Sequence, residues 1–482
     1  MTPLSTYAPD LDETTAGVIV DCSMLIPTVR GFKGAESLAS TGMSALASTC
    51  MGSAVITKLD NSRRMFAGTA TKLYEQSSSS WSDISRVAAY TMGVDNRWRF
   101  AQFGNTSLAT NGTDTLQSSS GSSFADVTGA PKASCIETTN GFVMLANTND
   151  GTYGVSPNRW WCSAINDSTT WTPSVTTQCT TGLLVDTPGE IRGLKRLGDY
   201  ILAYKERSMY VGRYVGSPSV FQWTLVPGEV GALSQECIVN TGSSHLFIGN
   251  ENFYTFSGTL PQPIGDPVRK WFFSNLNPAY KYRCSASIDR TTGNVYFYFA
   301  SKRSTDGSLD SCLVYNYISQ KWGKADRYIE AVVEYITPGV TYDNLVSLAS
   351  TWDTLPIISY DSPFWVSGDR VQAVFDTSHI LKQIGGASVQ STLTTWDVGD
   401  DAIVSSLIRT RCRFFQSPSS ATATNYYRMN LGDSLTTDST NTMVDGKFDF
   451  TRSSRWHRVV YTFNGDHEIS GCDFDLRADG TS

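Results

Sequence analysis

A bulky aromatic returns along the first two thirds of this chain. Trp81, Phe124, Trp171, Trp223, Trp271 and Trp322 follow one another at intervals of roughly 45–50 residues, the spacing of β-propeller blades. The first two stand in similar words, Ser-Ser-Trp-Ser-Asp-Ile at 79–84 and Ser-Ser-Phe-Ala-Asp-Val at 122–127. A unit of this size cannot bury its apolar face alone. It must stack on its neighbours, and the natural closure of such a stack is a ring.

Short runs of β-branched and aromatic residues precede these aromatics, among them Ala54–Thr57, Gly141–Leu145, Tyr200–Tyr204, His245–Ile248 and Val295–Phe299. Gly, Asn, Asp and Ser punctuate them, as turns punctuate strands. The expectation is an all-β chain with a β-propeller-like body of about six blades; an ordinary array of β-sandwiches shares the same punctuation. One tooth of the comb differs. Asp266 to Leu276 reads as a short helix, with Asp266 as N-cap and Pro267 in the first turn.

Composition narrows the function classes. Of 482 residues, 12% are aromatic and only 17% charged, with a formal net charge of −7. That balance suits β architecture and lacks the basic cluster that grips phosphates. Ten cysteines are scattered without a C-x-x-C pair or a histidine at zinc-ligand spacing. They read as free, buried thiols of a reducing compartment, with disulfides as the alternative. The N-terminus has neither the basic nor the apolar segment of a signal peptide, and no run reaches the ~20 apolar residues of a membrane span.

Four regions are expected. Residues 1–50 read as an irregular N-terminal arm that could order on a partner, and 51–335 as the propeller-like repeat region. Residues 336–385 read as an irregular connection or closing blade, with strand signal from Trp365 to Phe375. Residues 386–482 read as a C-terminal antiparallel β domain with a polar loop from Asp433 to Asp445. In that domain Arg409, Arg411 and Arg413 share one face of a strand, because side chains two apart point the same way. They are a candidate interface to acidic groups of another subunit or to a DNA backbone; the competing reading is a solvated face paired with local aspartates.

No phosphate loop, dinucleotide turn, nucleophile elbow or H-E-x-x-H pair is present. The four histidines, His245, His379, His457 and His467, read as satisfied surface or edge residues rather than general bases. Asn166 to Trp171 resembles part of the Asp-box of sialidase-type propellers without its Gly, and such a box braces a blade. The expectation is a non-enzyme without catalytic residues, cofactor or metal.

Several segments resemble the tail-nozzle proteins of short-tailed bacteriophages, also called tail-hub or packaged-DNA-stabilisation proteins. They are Met65–Tyr74 leading to Trp81–Ile84, Trp98–Asn105 with Ala109–Asp114, and Arg192–Tyr200 followed by Ser208–Tyr210. Pro267–Leu276 leading into Ser287–Tyr296, then Arg452–Phe463 with Ser470–Leu476, complete the set. The similarity covers most of the chain in order, and the first 50 residues match least. It implies a structural virion protein, made in the host cytoplasm and resident in the virion tail. Six copies would form a ring-shaped nozzle below the portal adaptor, near tail fibres, a spike or a needle. Such a ring retains packaged double-stranded DNA and conducts it during ejection without tight binding. The alternative is a carbohydrate-binding or carbohydrate-cleaving β-propeller of host recognition, with exposed Trp and Tyr stacking on sugars.

Overall fold

The computed structural model describes residues 2–60, 62–338, 351 and 367–481. Among these, the repeated element is a unit of four strands: six form separate four-stranded sheets and a seventh opens a ten-stranded sheet, one more than the comb of aromatics suggests. The architecture is all-β and propeller-like, with one short α-helix and one 3-10 helix among the described residues. Contact between elements divides the chain into two compact units. One comprises Leu38–Leu184 and Glu330–Gly385; the other comprises Met1–Ser37, Val185–Ile329 and Gly386–Ser482.

The first unit holds three consecutive sheets and a fourth assembled from distant pieces. The first sheet is Ser53–Thr57, Arg63–Gly68, Leu73–Ser77 and Ser80–Asp83. The second is Arg99–Phe103, Thr106–Thr110, Gln117–Ser119 and Ala125–Asp126, and the third is Lys132–Thr139, Phe142–Asp150, Gly154–Cys162 and Thr180–Leu183. Strand alternation explains how they stack. In Arg63–Gly68, Met65 and Ala67 join a core with Ala331, Val333, Tyr335 and Phe375, whereas Phe66 joins the opposite core with Trp98, Ala109 and Phe124. In Thr106–Thr110, Ala109 belongs to that second core and Leu108 to a third, with Ile136, Val143, Leu145 and Trp161. Successive side chains point to opposite faces, so a strand buried on both sides serves two neighbours.

The closing sheet is Ile329–Pro338, Ser367–Asp376, Leu381–Ser388 and, from far upstream, Glu36–Ser40. The end of the expected repeat region supplies most of the first strand, the region expected as irregular connection or closing blade supplies the second and most of the third, and the expected N-terminal arm supplies the fourth. Trp365 and Val366, where the strand signal begins, lie outside the described residues.

The second unit carries the remaining three meanders. They span Ile191–Leu197 to Val220–Leu225, Ile238–Asn240 to Gln262–Pro263, and Ser285–Asp289 to Lys321–Lys324. The last of these continues through the hairpin Leu25–Pro27 and Phe32–Gly34 into Glu468–Thr481, Ile403–Gln416 and Lys447–Ser454. Facing it is a sheet ordered Asp21–Ser23, Ser391–Thr394, Trp456–Asn464, Ser420–Arg428 and Thr436–Thr442. One continuous core runs from Leu202 and Tyr204 through Phe253, Phe297 and Trp322 to Phe32, Tyr461 and Ile469.

Three expectations need correction here. The N-terminal segment is woven into the second unit, where Thr2 and Pro3 pair with Cys472 and Gly471. The Asp433–Asp445 loop contains the strand Thr436–Thr442. Its Thr-Thr-Asp-Ser-Thr-Asn-Thr sequence lacks an apolar face because it borders its sheet, where exposed polar side chains are tolerated. The helix appears at Arg269–Asn275, but Asp266 does not cap it. The Asp266 carboxylate accepts from the Asn252 amide, and the Asp10 carboxylate instead receives the backbone N–H groups of Lys270 and Trp271.

Candidate functional site

The periodic aromatics lie at or near the outer end of each meander. Trp81, Trp223 and Trp322 are on fourth strands, Phe124 directly precedes one, and Trp171 lies in the turn before one. Trp271 is on the helix. Where a preceding sheet belongs to the same unit, these side chains lean on it. Phe124 meets Phe66 of the first sheet edge-on at 5.3 Å between centroids, and Trp322 meets Phe253 at 4.9 Å. The Trp322 indole donates to the Ile264 carbonyl at 3.0 Å, while its backbone N–H donates to Thr6 Oγ1 at 2.8 Å. Trp81 meets Phe375 at 5.8 Å and donates to the Ser44 carbonyl at 3.0 Å. Trp171 is buried and donates to the Ser168 carbonyl at 3.0 Å; Trp271 lies edge-on to Tyr7 at 6.0 Å. Phe124, Trp322 and Trp81 thus join neighbouring sheets. Room for two of the tryptophans comes from glycine, since a Cβ at Gly212 would press on the Trp223 ring and one at Gly68 on Trp98.

The Asn166–Trp171 turn braces the third sheet. The Asp167 carboxylate accepts from the Thr169 backbone at 2.8 Å and hydroxyl at 2.6 Å. These bonds from Thr169, with others from Thr170, hold the Asp167 carboxyl below its ordinary range.

Arg409, Arg411 and Arg413 do share the outer face of Ile403–Gln416, alternating with buried Thr410 and Cys412. Arg409 stands between Asp449 and Asp475, Arg411 between Asp473 and Lys447, and Arg413 opposite Gly471. Arg409 forms an ion pair with Asp449, and Arg413 one with Asp473 at 3.2 Å. Two of the three arginines are thus paired with local carboxylates, and exposed pairs of this kind stabilise by only about 0–1 kcal/mol each.

The histidine expectation is half corrected. Each has a hydrogen-bond partner, but His245, His457 and His467 are buried rather than at the surface. His245 donates from Nε2 to the Arg196 carbonyl at 3.0 Å and accepts at Nδ1 from the Tyr204 hydroxyl at 2.8 Å. Those two bonds define a neutral tautomer, and burial pushes its pKa down to about 4. Burial likewise lowers His457 and His467. His379 is partly exposed and sits 2.6 Å from the Glu330 carboxylate. All ten cysteines are buried and none is in a disulfide.

The most concentrated charge in the molecule joins residues some 400 apart in sequence and was invisible there. Asp397, whose side chain is fully buried, receives a two-pronged contact from Arg458, both bonds at 2.8 Å, and a further bond from Arg428. Glu13 bonds both guanidiniums, at 3.0 Å to Arg428, and its carbonyl accepts the Asp397 backbone N–H at 2.7 Å. Burial opposes ionisation of Glu13, and the Arg458 and Arg428 guanidiniums outweigh it, holding that carboxyl below its ordinary range. Burial also opposes the Arg458 charge, and Asp397 with Glu13 overcomes it. Two cations and two anions so arranged compensate one another and clamp the N-terminal segment to the C-terminal sheets.

Among the described residues, no group of three or more His, Cys, Asp or Glu is placed to hold a metal ion, and no helix is long and apolar enough to cross a membrane. No family model matches the chain, and no curated protein matches it. Among solved structures, the chain is similar to YCF48 bound to D1 peptide at 13% identity and TM-score 0.36, over 79% of this chain and 97% of that one. It is similar to the Neurospora crassa Pan2 WD40 domain at 8% identity and TM-score 0.37, over 70% and 89% of the two chains. A further similarity, at 8% identity and TM-score 0.39 over 75% and 98%, is to BBS1N in complex with ARL6DN.

Proposed function

We propose that this chain is a structural protein of a short bacteriophage tail. Six copies form a ring-shaped nozzle beneath the portal adaptor, with fibres, spike or needle docked nearby. The ring retains the packaged double-stranded DNA and conducts it at ejection. The protein is made in the host cytoplasm and resides in the virion tail.

The observation that carries this reading is where the family-like segments fall. Met65–Tyr74 covers most of the second strand of the first sheet and the start of the third, Trp81–Ile84 covers the fourth, and Trp98–Asn105 opens the second sheet. Pro267–Leu276 covers the helix, and Arg452–Phe463 with Ser470–Leu476 falls on strands of the two C-terminal sheets. These segments lie on strands and on the helix, so the resemblance is to the framework of the body. A tube subunit needs rigid sheets with few open edges. The pairing of Arg409 and Arg413 with aspartates leaves little free positive charge from them to trap a passing polyanion.

The test is the mass of the purified full-length chain in dilute solution. A ring of six gives a particle about six times the 52.7 kDa of one chain. A strictly monomeric protein, in solution and in isolated virions, would overturn the reading. Binding to a glycan array or depolymerisation of bacterial polysaccharide would favour the carbohydrate propeller instead.

A further inference from the structure

Residues 409–413 run in regular antiparallel register with residues 471–475, and this register sets Cys412 directly opposite Cys472. Opposed residues of an antiparallel pair have Cα atoms about 4.5–5.5 Å apart, inside the window of about 4.4–6.8 Å that a disulfide accepts. Their side chains leave on the same face. Here that face is the interior: both cysteines belong to the continuous core. Their thiols are within hydrogen-bonding contact of each other, and Tyr461 of the facing sheet lies against them.

No other pair shares this placement so directly. Cys179 donates to the Cys162 carbonyl at 3.3 Å, but Cys162 stands opposite Thr180. Gly471 next to Cys472 adds local backbone freedom for the small adjustment that bond closure needs.

We propose that Cys412 and Cys472 are a site of reversible oxidation that closes to a cross-strand disulfide on meeting a disulfide oxidant such as oxidised glutathione. One cysteine thiolate attacks a glutathione sulfur, and a mixed disulfide forms as one glutathione thiolate leaves. The second cysteine thiolate then displaces the remaining glutathione. The two protein thiols lose two electrons and two protons, and one glutathione disulfide is reduced to two thiols. Closure ties the last strand, which also holds Thr2 and Pro3, to Ile403–Gln416. It constrains the unfolded chain over the intervening residues. This inference stands on strand register and is independent of the functional reading.

The experiment treats the full-length chain with oxidised glutathione in native buffer and in denaturant just below the unfolding midpoint, where buried thiols are transiently exposed. Free thiols are then alkylated in strong denaturant, and the protein is digested without reductant. The expected result is an intact mass with eight alkyl groups in place of the ten of the reduced protein, and a linked pair of peptides carrying Cys412 and Cys472. A raised melting temperature that a reductant reverses should accompany it. Cys162→Ala should retain the link; Cys412→Ala and Cys472→Ala should each lose it together with the thermal shift. Both cysteines still alkylated after treatment in both conditions would overturn the proposal. So would only mixed glutathione adducts at these positions, links among other cysteines, or the same thermal shift in the Cys412→Ala protein.

Discussion

The two compact units share a four-stranded module and differ in how they bury it. In Leu38–Leu184 with Glu330–Gly385, apolar side chains collect in separate cores, each lying between neighbouring sheets. In the other unit one core passes without interruption from the meanders through the N-terminal hairpin into the C-terminal sheets. Serial cores make stability a sum of nearest-neighbour terms, so one joint can loosen while the next holds. A continuous core makes its members fold together. The N-terminal strands make the difference, because they extend the last meander into the C-terminal sheets.

The sharpest break of this contrast is at the buried charges. Asp397→Ala leaves Arg458 and Arg428 without their shared carboxylate, and stability should fall by about 3–5 kcal/mol. Denaturant unfolding followed by signals from both units should show the loss in the unit that holds Asp397. A change below about 1 kcal/mol would mean that the cluster is not the clamp described above.

Equivalent tryptophans give a paired test. Trp322 is fully buried, whereas Trp81 is partly exposed on the outer strand of its sheet. Trp322→Ala should cost about 3–5 kcal/mol and Trp81→Ala at most about half as much. The first should lower hydrogen-exchange protection across its whole unit. The second should loosen only the first and closing sheets, where Trp81 meets Phe375.

Acid should discriminate next. Folded His245 resists protonation down to about 4, while the unfolded chain takes up that proton near its ordinary value of 6.5. Between these values the unfolded state binds more protons, so stability falls as the pH falls through this window, by roughly 3 kcal/mol from this residue. Denaturation midpoints from pH 7 to 4 check the slope, and His245→Gln should flatten it. A slope unchanged by that substitution would assign the loss to other groups, with buried His457 and His467 next in line.

A smaller effect concerns a single joint. A Cβ at Gly68 overlaps the Trp98 indole, so Gly68→Ala should destabilise by about 1–3 kcal/mol. Its exchange signature should be confined to the first two sheets. Smallest of all is Arg413→Ala, expected within about 1 kcal/mol because its pair with Asp473 is exposed.

These residues also show what the sequence could reveal. In the comb, Trp81, Phe124 and Trp322 each meet a ring of a neighbouring sheet. The helix at Arg269–Asn275 was legible from its proline and aromatic run, but its Asp10 cap was not, since that residue lies some 260 positions upstream. The same distance hid the fourth strand of the closing sheet, Glu36–Ser40, and the meeting of Glu13 with Asp397, Arg428 and Arg458. The arginine row was correctly placed on one face from alternation alone. The aspartates that pair with Arg409 and Arg413 sit on neighbouring strands, so only strand register could supply them.

The central claim, a passive ring in a phage tail, is tested most directly by electron microscopy of intact virions, with an antibody against this chain marking its position. The expected image is a sixfold ring below the portal, bearing the label and enclosing the DNA path. Label at a fibre tip, or particles that carry none, would contradict it.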